Sequence, residues 1–206
     1  MIFFPLFLIF LAWFAYERSK ATKQEKAKHD EFWERENDAN NIRRQSLDDQ
    51  PYIIIPDDLL LAGLSSDIPD DDELTRCNDI LVSLQDKRIL NMTGKTTTDI
   101  KFMFGPANLS LIDEYDANFT LFAKTIYAYG QQLHKLGFDK EAMKVLRFGI
   151  DSLSDISGNY KLLATLYVKY NESYKICELQ KIAESLDTLM KKNILQTLDE
   201  ISNTAP

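Results

Sequence analysis

The sequence predicts an all-α protein. From residue 110 to 136 large apolar residues recur every three or four positions, the period of a helix with one buried face. The same period returns after Gly137, Ser157 and Asn171, and no strand-like stretch stands out beyond residues 52–55. At 206 residues, 45% hydrophobic and 27% charged, the chain has room for one domain or a domain with an appendage. Its net charge of -8 and pI near 4.9 argue against nucleic acid as a partner, because a phosphate backbone is bound by a basic face.

Residues 1–16 carry no charge and are expected to form a short transmembrane anchor, with Trp13 and Tyr16 in the interfacial belt and Arg18, Lys20 and Lys23 reaching to headgroups. No cation precedes this run, whereas Arg18, Lys20, Lys23, Lys26 and Lys28 follow it. The positive-inside rule then makes it a signal anchor in the plasma (inner) membrane, single-pass, with the bulk of the chain cytoplasmic. A cleaved secretory signal is the competing reading, but it lacks a basic start and a good cleavage site.

Residues 17–49 are rich in Lys, Glu, Arg and Gln and read as a polar helical stalk with helix-spaced opposite charges, such as Glu31 and Arg35. Phe32 and Trp33 are too few for a heptad seam. Residues 50–70 change character. Pro51, Pro56 and Pro69 enclose two apolar clusters, residues 52–55 and 59–61, and the proline after Ile55 pushes it to extended backbone. This linker is expected to strap onto the helical domain; occupation of a binding groove by a self-peptide is the alternative.

Residues 71–206 form the expected helical domain. Asp70 and Glu73 have the spacing of a capping box ahead of a helix to about Leu90, and Thr96 is placed to cap a short helix through Phe104. Gly94-Lys95-Thr96 matches the tail of a phosphate loop, but Ile89 stands where the first glycine belongs. Gly137 stops the long helix and Asp139 is expected to cap the next. Further helices are expected from Ser157, from about Ile176, and at residues 189–201. Sequons begin at Asn91, Asn108, Asn118 and Asn171, and the two cysteines, Cys77 and Cys177, form no metal or redox motif.

Within the helical domain, residues 126–154 place Tyr129-Gly130, Leu133, Gly137, Ala142, Leu146 and Gly149 in an ordered series, and Leu163, Ala164 and Tyr167 follow one period later. This stretch resembles a tetratricopeptide repeat, a helical hairpin with small residues where its two helices cross. Ile126 stands in place of the family's tryptophan, Ser154 and Thr188 in place of its closing proline, and Ile176 in place of a small residue. The resemblance implies a groove lined by Lys124, Tyr127, Gln131, His134, Lys135, Lys161, Thr165 and Lys169, basic in an acidic protein and suited to an acidic or C-terminal peptide. The two-carboxylate clamp of chaperone-binding members is not reproduced.

The expected function is therefore a membrane-anchored, cytoplasm-facing helical-repeat adaptor or scaffold that binds a protein or peptide partner. The alternatives are a structural subunit of a larger membrane complex, or an enzyme. Against an enzyme, His29 lies in the stalk, no carboxylate stands beside His134 in sequence, and no catalytic, metal or cofactor motif is complete.

Overall fold

The computed structural model describes residues 3–64 and 66–204. The first two residues of the expected anchor, Ser65 of the strap and the last two residues of the helical domain lie outside these. The described residues form eight α-helices and no strand, so residues 52–55 join no sheet. The chain divides into two compact units. One comprises the N-terminal residues to Ser46 together with Thr96–Leu109, the other Leu47–Lys95 and the residues from Ser110 onward.

In the first unit α1 (Phe3–Asn40) is a single helix that runs from the apolar start into the charged stretch. Among the described residues no helix is long and apolar enough to cross a membrane. This overturns the expected transmembrane anchor at residues 1–16 and the single-pass, cytoplasm-facing placement built on it. The physical reason is length. A span needs about 20 consecutive apolar residues, whereas the uncharged run ends at Tyr16 and Glu17 and Arg18 follow in the same helix.

Packed on α1 is α3 (Thr97–Phe104). Thr96 and Asp99 form its capping box, and the Asp99 carboxylate also meets Arg35 at 2.5 Å. Glu36 accepts hydrogen bonds from Thr98 Oγ1, at 2.8 Å, and from Lys101 Nζ, while Ala39 is fully buried. The sequon residue Asn108 is also buried. Its Nδ2 donates to the carbonyls of Gln45 and Phe104, and its Oδ1 accepts from Arg44 Nε.

The second unit contains α2 (Asp72–Gln85), α4 (Leu109–Lys135), α5 (Asp139–Asp151), α6 (Ser157–Lys169), α7 (Ile176–Ser185) and α8 (Lys191–Thr204). Asp71 rather than Asp70 caps α2, its side chain accepting from the Leu74 amide at 2.9 Å. Gln132 near the end of α4 donates to Asp71 (3.0 Å), and Asn118 nearer its start donates to the Arg88 carbonyl (3.0 Å), so α2 and α4 run antiparallel. Leu74, Leu81, Phe122, Ile126, Leu133, Leu146, Leu163 and Leu179 share one apolar core. Beyond the hairpin, α6 packs on α5, α7 and α8.

Three successive helices end alike. After α4 the Phe138 and Gly137 amides donate to the Leu133 and His134 carbonyls, after α5 Ser154 and Leu153 donate to Gly149 and Ile150, and after α6 Glu172 and Asn171 donate to Tyr167 and Val168. Each is a Schellman turn whose pivot residue takes positive φ: Gly137 at 89°, Leu153 at 59° and Asn171 at 58°. Glycine and asparagine adopt this conformation readily, and leucine does not. Leu153 is also exposed, so its side chain has little packing to lose. Leu153→Gly is expected to stabilise the fold by about 1 kcal/mol, given the roughly 1–2 kcal/mol a Cβ costs in the left-handed region. A higher urea midpoint at unchanged m-value checks it.

Candidate functional site

The site is built on α4, α5 and α6. Glycines set how closely α4 and α5 approach. A Cβ added to Gly130 would lie 2.6 Å from Leu146 Cδ2, and one on Gly149 would lie 2.7 Å from Ile126 Cγ2. Tyr129, Ala142, Leu146, Leu163 and Ala164 are fully buried around these crossings, and Tyr167 is nearly so. Burial pushes the Tyr129 phenol well above its usual value, which keeps it neutral within the core.

Helix α6 runs parallel to α4. Near its start Gly158 lies under the Tyr127 ring, so closely that a Cβ there would collide with it. The Tyr127 hydroxyl accepts from Gln131 Nε2 at 2.8 Å, one turn further along α4. Lys124, Tyr127, Gln131 and Lys135 lie at helix-face spacing on α4, as do Gly158, Lys161, Thr165 and Lys169 on α6. Lys124, Lys135 and Lys161 are exposed. Thr165 is exposed too, its hydroxyl donating to the Lys161 carbonyl. Tyr127 and Gln131 are half-buried.

His134 and Lys169 are differently placed, because both engage Asp139. This carboxylate was expected to cap α5, but Phe138 holds the cap position and Asp139 opens the helix, 3% exposed. His134 Nδ1 lies 2.5 Å from Asp139 Oδ1 and donates to it, since an ionised carboxylate has no proton to give. Lys169 Nζ and the Tyr170 hydroxyl, the latter at 2.9 Å, donate to Oδ2. Burial alone would raise the Asp139 carboxyl; the hydrogen bonds from Lys169, His134 and Tyr170 outweigh it and hold the group below the usual carboxylate range. The hydrogen bond to Asp139 in turn raises Lys169 and Tyr170 above their ordinary values.

Sequence reasoning missed this cluster because its members are distant along the chain. Lys169 and Tyr170 stand thirty or more residues from Asp139, and only the parallel placement of α4 and α6 brings them together. The arrangement joins three helices around one carboxylate and takes two of the eight expected groove residues as structural partners. The other six, Lys124, Tyr127, Gln131, Lys135, Lys161 and Thr165, make no contact with Asp139.

A second set of polar contacts lies on α2 and α5. Gln85 Nε2 donates to the Ile55 carbonyl (3.2 Å) and to Asp57 Oδ1 (2.8 Å), and Asn78 Oδ1 accepts from the Leu61 amide at 2.9 Å. On α5, Lys144 Nζ reaches the Asp58 carbonyl at 2.8 Å and its carboxylate at 2.7 Å. These side chains hold the segment from Tyr52 to Leu64 against the helices. Compared with models of protein families, with curated proteins and with solved structures, the chain matches none.

Proposed function

We propose that the chain is a helical adaptor that holds a protein or peptide partner of acidic character on the face shared by α4 and α6. The observation that carries this reading is the exposure of Lys124, Lys135 and Lys161 on adjacent parallel helices of a protein whose net charge is -8. A cationic strip on an acidic molecule attracts an anionic segment. Tyr127 and Gln131 between the lysines add an apolar ring edge and a hydrogen-bonding amide. The resemblance to a tetratricopeptide repeat supports the same face, and so does the order of packing, in which α6 lies against α5 behind it and α8 ahead.

The test is charge reversal at residues that the fold does not use. On an array of acidic peptides the wild-type chain is expected to retain ligands that Lys124→Glu/Lys161→Glu loses by at least about tenfold, the scale of 1.4 kcal/mol. Both chains should show the same helical circular dichroism. Equal retention by the two overturns the assignment.

A further inference from the structure

The segment from Tyr52 to Leu64 is held in the way a bound peptide is held. It forms no helix longer than a single 3-10 turn, at Asp57–Leu59 and again at Leu61–Gly63, and Ile53–Ile89 is a backbone hydrogen bond it makes to the rest of the chain. Side chains supply further polar contacts. Asn78 and Gln85 stand seven residues apart, two turns on one face of α2, and their amides engage the segment's backbone at Leu61 and Ile55. Lys144 of α5 takes both the carbonyl and the carboxylate of Asp58. Ile55, Leu59 and Leu60 are the buried anchors, 3%, 2% and 8% exposed, and join the core of the helices, while Ile54, just before the first of them, is 80% exposed. Aliphatic anchors seated in a core, with main-chain groups at Ile55, Asp58 and Leu61 taken by Gln85, Lys144 and Asn78, are the two kinds of contact by which a non-helical peptide is held in a groove. Gly63 closes the segment tightly, since a Cβ there would lie 2.5 Å from the Asp57 carbonyl oxygen.

We propose that the groove between α2 and α5 is a second peptide-binding site, occupied in this structure by the chain's own residues 52–64. The external ligand it takes is a short turn-forming segment of the same chemistry: an aliphatic residue and a proline, an acidic pair, then two leucines. The resident segment competes with such a ligand, so apparent affinity falls by the fraction of time the groove is closed. This site is separate from the lysine face of α4 and α6 and uses none of its residues.

Two measurements on the full chain test it. In wild-type amide exchange, Ile53 and Leu61 are expected to exchange at least about tenfold faster than Phe122 and Ile126 in α4, reporting opening of the segment without global unfolding. A labelled synthetic peptide of residues 50–64 is expected to bind Leu59→Ser/Leu60→Ser at least about tenfold more tightly than wild type, because that chain's own segment no longer fills the groove. Adding Gln85→Ala and Lys144→Glu, both at exposed positions, should abolish the gain. Exchange of the segment only through global unfolding would overturn the proposal. So would failure of the Leu59→Ser/Leu60→Ser chain to fold, which would make the segment core, or peptide binding insensitive to Gln85 and Lys144. Wild-type dimers that excess peptide does not dissociate would assign the groove to a second copy and overturn it as well.

Discussion

Asp139→Ala will destabilise the chain by about 2–3 kcal/mol at neutral pH, the scale expected when hydrogen bonds to one charged group are lost together. The sum stays well below three independent bonds, because Lys169 and His134 are 56% and 39% exposed and water can solvate what they lose. Asp139→Asn will recover part of the loss, since an amide oxygen accepts from one donor without carrying the charge. The pH dependence separates this latch from simple packing. The folded-state value of Asp139 is depressed, so its contribution is fully present above the unfolded value of about 3.9 and is lost as pH falls through the lower folded value. The stability gap between wild type and Asp139→Ala should therefore be level near pH 7 and close in strong acid. Urea midpoints measured across that range check it; a gap independent of pH would assign the loss to packing alone.

The contrast between Asp139 and its neighbours shows what the sequence could and could not convey. Gly137 as the end of α4 and Thr96 as the cap of α3 are local events, decided by a residue's own backbone freedom or by a side chain three positions away. The apolar period of α4 is likewise local. Asp139 reads as a cap on the same local logic, yet its carboxylate is taken by groups from the far end of α6 that no window of sequence contains. Leu153 escapes notice for the opposite reason. A Schellman pivot is recognised by glycine or asparagine, and here the hydrogen bonds impose the turn on a leucine. The apolar start misleads through length: sixteen residues approach a membrane span only if flanking side chains are counted toward it, and α1 carries charge from Glu17 onward. The groove set comes from the repeat resemblance, and the capture of two of its members, His134 and Lys169, by Asp139 is visible only in the packed helices.

Gly130→Val will cost about 3 kcal/mol, at the upper end of what overpacking a filled core costs. The mechanism is specific. The new Cβ would sit 2.6 Å from both Cγ and Cδ2 of Leu146, a side chain with no exposed surface into which to retreat. Leu146→Ala alone should cost a similar amount, about 2–5 kcal/mol, by leaving a cavity at the same crossing. Because one change adds the volume that the other removes, the double variant should be less destabilised than the sum of the two by at least about 1 kcal/mol, a coupling expected only of residues in contact. Gly130→Ala offers an internal control, since alanine is favoured over glycine within a helix by about 1 kcal/mol and opposes the clash. If Gly130→Val and Leu146→Ala prove additive, α4 and α5 do not cross at Gly130. The small residues of the repeat-like series would then have lost their physical reason, and with it the argument that α4 and α6 present one continuous face to a partner.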